Sequence, residues 1–289
     1  MTPHPARRAV LRAGVGLGAW AGLAALGACG PGEGTTGTAS ATGSTDPLAP
    51  PSPVRTPTPD APVRRVVALS SADLDVLTAL GGDPVAAWAQ DGTGPRPWRD
   101  RPAPPAPAWD GPGLPTLRAL LPFGAGAFAL AAADVTEAQL RAYEQLATVI
   151  AAPDGRPGWR EHLDLVAAAV DRDPAPAADR ADGELGAWAR GQRALGVTAL
   201  AVVLSTGARP DTPVATLSAA SPFAREVRDL GFDVVAHDAP VPYRELRRRG
   251  VQVVRVDPRG ADVVAAVRQP SVLSLPWVLD TLVTGRRPR

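Results

Sequence analysis

Few residue types in this chain can do chemistry. Of its 289 residues one is Cys, Cys29, and three are His, at 4, 162 and 237. A lone thiol forms no intrachain disulfide and cannot ligate a cluster, and three scattered imidazoles do not make a transition-metal site, so neither a bound metal nor a resident cofactor is expected. The Gly-x-Ser-x-Gly spacing of a nucleophile elbow does not occur. Paired catalytic carboxylates are not excluded by spacing alone, but no residue is assigned a catalytic role. Planar cations and indole rings are plentiful: all 30 cations are Arg, and 7 residues are Trp. Guanidinium forks and aromatic faces hold ligands through charge, hydrogen bonds and stacking. The candidate binding residues are Arg96, Trp98, Arg209, Arg225 and Tyr243, with Ser70, Asp134 and His237 beside them.

Each candidate has a plainer reading. Ser70, Ser71 and Asp134 stand where helices begin and can cap them, a role that suits Ser71 best. Trp98, in Pro95-Arg96-Pro97-Trp98, is either a cleft wall or a cap over the core, and Tyr243 is open to the same alternatives. Arg209 is a ligand contact or a solvated loop charge, and Arg225 pairs with an acid along its helix if it does not reach a ligand. His237 follows a strand end and is either a hydrogen-bonding ligand group or a satisfied structural histidine. His162, beside Glu161 on a helix, is expected to be exposed. Trp88, Trp159, Trp188 and Trp277 are expected to pack.

Ahead of these residues lies a segment of a different kind. A basic stretch with Arg7, Arg8 and Arg12 is followed by an apolar run from Ala13 to Ala28, at 16 residues short for a membrane span. Leu26-Gly27-Ala28-Cys29 resembles a bacterial lipobox, in which the Cys thiol takes a diacylglycerol and becomes the new N-terminus; the plainer reading is a buried Cys closing a core helix. Ala6-Arg7-Arg8-Ala9-Val10-Leu11-Arg12 also resembles a twin-arginine export signal, leaving the export route open. Residues 1–28 are thus read as a lipoprotein signal peptide and Cys29 as the lipidation site. Without the leader's three Arg the remaining 27 face 29 acids, a balance of −2, which argues against a nucleic-acid partner. Residues 29–62, rich in Gly, Ser, Thr, Ala and Pro, are expected to be a disordered tether.

The elements that must position the candidates follow from residue 63 onward. Arg65 to Leu69 reads as a buried strand, Ser70-Ser71-Ala72-Asp73 as a helix start, Leu74, Leu77 and Leu80 as its apolar stripe, Gly81-Gly82 as its stop and Pro84 to Ala89 as the next strand. Ala127 to Ala131 and Thr148 to Ala152 are further strands around a helix opened by the capping box Thr136-Glu137-Ala138-Gln139. The pattern recurs with strand Thr198 to Ser205, a helix opened by Ser221-Pro222, strand Phe232 to His237, strand Val251 to Asp257, a helix near 261–268 and a terminal helix around Trp277 to Val283. Between the halves, Trp159, Leu163, Val166 and Val170, then Leu185, Trp188 and Leu195, recur at helical spacing, with Pro174 and Pro176 as interruptions. The expected fold is α/β: two parallel-sheet lobes, 63–157 and 197–289, joined by a helical connector, 158–196, with a ligand cleft between them.

Taken in order, these pieces resemble the substrate-binding lipoproteins of bacterial iron-siderophore ABC importers. The residues that carry the resemblance are Arg65 to Ser70 with its helix, Leu117 to Leu130, Thr136 to Pro153, Ser221-Pro222-Phe223 through Leu230-Gly231-Phe232, and Ser271 to Trp277, all behind a lipobox. The resemblance implies a monomer anchored to the outer face of the cytoplasmic membrane. Such a protein captures a ferric siderophore in the cleft, holds iron only as that chelate, performs no catalysis and delivers its cargo to an ABC permease. The loops Ser70-Ser71, Gln90 to Trp98, Ala132 to Thr136, Ser205 to Arg209 and His237 to Tyr243 would then face one another. The same fold binding cobalamin or haem, or a surface lipoprotein that has lost transport, are the alternatives. The resemblance also implies a Glu on each lobe that pairs with permease Arg, but here the first position falls on Arg118 and the second near Arg244, with Glu245 adjacent; a cation there would repel such a partner, so either the register or the docking differs.

Overall fold

The computed structural model describes residues 63–284 apart from 91, 102–103, 110, 112, 134, 153–156, 205–210, 238, 248–250 and 257–260; the leader, Cys29 and the tether lie outside the described residues. The first half holds β1 (Val66–Ala68), α1 (Ser71–Ala79), β2 (Ala86–Ala87), α2 (Leu117–Leu120), a 3-10 turn (Leu121–Phe123), β3 (Ala127–Ala129), α3 (Glu137–Glu144) and β4 (Thr148–Ile150). Its strands form one parallel sheet in the order β2-β1-β3-β4, with Val67 opposite both Ala86 and Phe128. Apart from Thr148 every residue of these strands is buried, as a parallel sheet covered on both faces requires.

Local signals set the helix ends. The side chain of Ser70, rather than Ser71, accepts from the amide of Asp73 and caps α1. Thr136 and Gln139 form the full capping box of α3. Ser221 caps the amide of Ala224 and Pro222 opens the helix behind it.

Two helices make the connector, α4 (Trp159–Val170) and α5 (Ala175–Ala194), and the chain turns between them through Asp171 (φ 54°) and Pro174. The second half contains β5 (Ala199–Leu204), β6 (Pro213–Val214), α6 (Pro222–Asp229), β7 (Asp233–Val234), β8 (Val241–Pro242), α7 (Tyr243–Leu246), β9 (Val251–Val256), α8 (Ala261–Arg268) and α9 (Ser274–Thr284). Strands β7-β5-β9 form a second parallel sheet, and β6 and β8 a small antiparallel ribbon that the periodicity had not indicated. Gly231 ends α6 at φ +83°, a backbone conformation that favours Gly.

Each sheet has an apolar cluster of its own on one face, around Phe128 in the first and Val203 in the second, and shares a third through the connector. Val66 and Ala129 of the first sheet, Leu163 and Leu185 of the connector, Val202 and Val254 of the second sheet, and Leu275 and Leu279 of α9 belong to one apolar cluster. The connector helices are therefore part of the interior. At the amino end of the first sheet, the backbone of Val63 donates to the carbonyl of Ala169 at 3.2 Å, fixing where the described chain enters the fold against the last turn of α4. Among the described residues no helix is long and apolar enough to cross a membrane.

Candidate ligand-binding site

The loops that leave the carboxyl ends of the strands converge on two buried carboxylates at the start of α1. Ser70 Oγ donates to Asp73 Oδ2 at 2.5 Å and accepts from the Asp73 amide at 3.0 Å. Asp73 Oδ1 accepts from the Ala131 amide, at the end of the loop from β3, at 3.1 Å and lies 2.8 Å from Nε2 of His162 on α4. Asp73 is thus a joint between sheet, helix and connector, and each of its oxygens has partners. His162 is only 2% exposed, which corrects the expectation that it faces solvent. Its neighbour Glu161 is exposed, but the helix turns the imidazole inward, one residue before buried Leu163.

Two residues further along, Asp75 ties the halves together. Its Oδ1 accepts from Arg99 Nε at 2.5 Å, and its Oδ2 from Trp98 Nε1 at 2.9 Å and from Ser271 Oγ, in the second half, at 2.6 Å. Burial pushes the Asp75 carboxyl up from its ordinary value, against the pull of the Arg99 guanidinium and of the Ser271 and Trp98 donors. Arg99 also donates from Nη2 to Ser71 Oγ at 2.7 Å and to the Ser71 carbonyl at 3.0 Å. Ser271 and Ser274 cap one another at the entry to α9, each amide donating to the other's hydroxyl at 2.9 and 3.0 Å.

Beyond this joint the strand-end loops of the two sheets touch. Arg96, on the loop after β2, donates from Nη1 to Asp262 Oδ1 at 2.6 Å, in the first turn of α8 just past β9. Gln269, at the end of α8, donates to the carbonyl of Ala132 after β3 at 3.0 Å. Arg96 also donates to Gly92 O at 3.2 Å, and its guanidinium lies 5.8 Å from the Trp98 ring centre. The carboxyl ends of both sheets thus meet at one junction, the position where open α/β sheets take ligands.

The structure brings Ser70, Arg96 and Trp98 to this junction and places Arg225, His237 and Tyr243 elsewhere. Ser70 is the cap of α1, and its hydroxyl is spent on Asp73. Trp98 is 9% exposed, bonded to Asp75 and tilted against Trp277 at a centroid distance of 4.7 Å, so the core-cap alternative describes it. Arg96 is 7% exposed and engaged by Asp262. Arg225 is exposed on α6, next to buried Glu226, whose Oε1 accepts the Trp159 amide at 2.9 Å and so caps α4. Burial pushes the Glu226 carboxyl up to about 7. The amide of His237 donates to Thr216 Oγ1 at 2.7 Å and its side chain is exposed, while the half-buried ring of Tyr243 lies 5.4 Å beneath the Arg255 guanidinium. Asp134 and Arg209 lie outside the described residues. Arg118 is exposed on α2, and Arg244 pairs with Asp211.

The residues that organise the junction, Asp73, Asp75, Arg99, Asp262, Gln269 and Ser271, were not among the sequence candidates. One signal was available. In Ser71-Ala72-Asp73-Leu74-Asp75-Val76-Leu77 the two acids sit among apolar residues at every angle of the helix, and an acid in a helix buried all round must have a partner. Among the described residues no group of three or more His, Cys, Asp or Glu is placed to hold a metal ion.

No protein-family model matches the sequence, and no curated protein does. Solved structures do match. A periplasmic solute binding protein from Mycobacterium smegmatis aligns over 77% of this chain and 91% of its own, with a TM-score of 0.58 at 17% identity. PiaA of Streptococcus pneumoniae, solved in complex with ferrichrome, aligns over 76% and 91% with a TM-score of 0.55 at 12% identity. The siderophore binding protein FhuD from Vibrio cholerae, bound to Fe3+-Desferal, aligns over 77% and 97% with a TM-score of 0.51 at 16% identity. The likeness spans nearly the whole of each of these proteins and is one of fold.

Proposed function

We propose that this chain is an extracytoplasmic substrate-binding lipoprotein that takes up a preassembled ferric siderophore between its two sheets and passes it to an ABC importer. The observation that carries this reading is the meeting of strand ends: Arg96 from the loop after β2 reaches Asp262 beyond β9 at 2.6 Å. A cleft bounded by the carboxyl ends of two parallel sheets is where such a fold binds its ligand. PiaA and FhuD, which share the fold, carry ferrichrome and a ferric hydroxamate in their structures. The role is capture and release, without catalysis. A ferric chelate has its iron already satisfied by its own oxygens, so the protein supplies guanidinium and aromatic faces instead of metal ligands. Arg96 and Arg99 are the cations at the junction, Arg99 being held by Asp75 and Ser71, and Arg209 remains a proposed contact from the second half.

Lipidation at Cys29 would hold the folded part at the outer face of the cytoplasmic membrane, with more than one acyl chain giving stable anchorage. Permease docking would then differ from the Glu-to-Arg pairing of relatives, because Arg118 presents a cation and Arg244 is shared with Asp211. The test is a tryptophan-fluorescence titration with ferric hydroxamate, catecholate and carboxylate chelates and their iron-free forms. Trp98 sits against the junction and should report binding of at least one ferric form below millimolar concentration. If no ferric chelate changes the emission or gives binding heat in that range, the siderophore reading is wrong.

A further inference from the structure

A cavity lies beside the strand-end junction and shares Trp98 with it. It has a volume of about 550 Å³ and is walled by the end of α1, residues 98–100, the outer side of α5 and the first turns of α9. It therefore touches the first half, the connector and the second half at once. Its volume lies within the roughly 300–1,000 Å³ of small-molecule sites. Three indoles line it: Trp98, Trp188 and Trp277. Trp98 is nearly buried between Trp277 and the Arg96 guanidinium, so the half-buried rings of Trp188 and Trp277 present the aromatic surface to an occupant, and the N–H of Trp188 is used by the carbonyl of Leu279 at 3.1 Å.

Carboxylates border the rings. Asp100 and Glu184 are exposed at the cavity, Asp280 lines it while engaged elsewhere in the chain, and one cation, Arg180, stands a turn before Glu184. Aromatic faces attract cations, and a rim in which carboxylates outnumber guanidinium favours the same sign of charge. Ala79, Ala177 and Ala181 keep the remaining wall short and apolar. An anion would meet π faces and acids, and a small inorganic cation would leave the apolar wall unused.

We infer that this cavity is a binding site for an organic cation with an apolar body, such as a benzylic or alkyl ammonium, independent of the chelate site. Its charged head sits between Asp100 and Glu184, and its apolar part lies on the tryptophans. Because Trp98 also lies under the Arg96 guanidinium, an occupant touches a ring that bears on the strand-end junction.

The experiment is calorimetric titration of the full chain with benzyltrimethylammonium, benzyl alcohol and benzenesulfonate, followed by tryptophan emission. The cation should bind, the neutral and anionic probes should bind at least about fivefold more weakly, and high salt should weaken the cation alone. The double variant Asp100→Asn/Glu184→Gln, whose changes are on exposed side chains, should weaken the cation about fivefold and leave benzyl alcohol unchanged. Equal binding of the three probes, tighter binding of benzenesulfonate, no binding of the cation, or a double variant that binds it as wild type does would each overturn the assignment. Ferric chelate titration of the same variant should match wild type, which separates this site from the cleft.

Discussion

Glu226 makes a prediction that runs against the usual view of a capping acid. Its carboxylate accepts the Trp159 amide at 2.9 Å and so closes the start of α4, yet the residue is only 5% exposed. Burial outweighs that hydrogen bond and pushes the carboxyl from its ordinary 4.5 up to about 7. In the unfolded chain the group ionises near its ordinary value, while the folded chain holds the proton until about pH 7. Between those values the native state binds more protons, so unfolding free energy falls as pH rises, by up to about 1.4 kcal/mol per pH unit. Over the window the loss attributable to this residue reaches about 3 kcal/mol and is then constant above it. Glu226→Gln keeps the shape and an oxygen for the Trp159 amide but removes the titration. The variant should be about as stable as wild type at pH 4.5 and more stable at pH 8, by as much as about 3 kcal/mol. Urea unfolding followed by tryptophan emission at half-unit pH steps reads this as the difference between the two curves. A difference that stays flat from pH 4.5 to 8, or a Gln variant less stable than wild type at pH 8, would refute the reasoning.

Other outcomes follow from the junction. Arg99→Leu strands the Asp75 carboxylate, which is 1% exposed, and should cost about 3–5 kcal/mol, whereas the double change with Asp75→Leu should cost less than the sum; additive losses in urea unfolding would contradict the pairing. Replacing Asp262 with Asn removes the negative charge that faces Arg96 across the junction, so an anionic ferric chelate should bind about fivefold more tightly and a neutral one as before. The same gain for both in the fluorescence titration would show that Asp262 acts on access to the cleft and not on charge. Cys29→Ala should move the protein from the membrane to the soluble fraction of cells, and unchanged sedimentation with membranes would exclude lipidation as the anchor.

Much of the scaffold was written in local signals. The buried run at Val66 to Ala68, the Ser70, Thr136 and Ser221 caps, and the stop at Gly231 each work within a few residues, and period and turn chemistry are legible at that range. The β6–β8 ribbon was not legible, because two-residue strands such as Pro213–Val214 carry no period to detect. The junction was harder still, since its bonds join positions as far apart as Asp75 and Ser271, separated by 196 residues, or Arg96 and Asp262, separated by 166. The choice between cleft wall and core cap for Trp98 could not be made without the distant carboxylate that takes its indole N–H, and reading His162 as exposed followed its charged neighbour instead of the helix face it shares with Trp159, Leu163 and Val166.

The bond from Val63 to Ala169 sets the mechanical polarity of the molecule. Val63 stands at the amino pole of the first sheet, whereas Ser70, Ala131 and Arg96 gather at its opposite pole. A load applied at Val63 enters through β1 and the last turn of α4, at the end of the sheet remote from the strand-end loops.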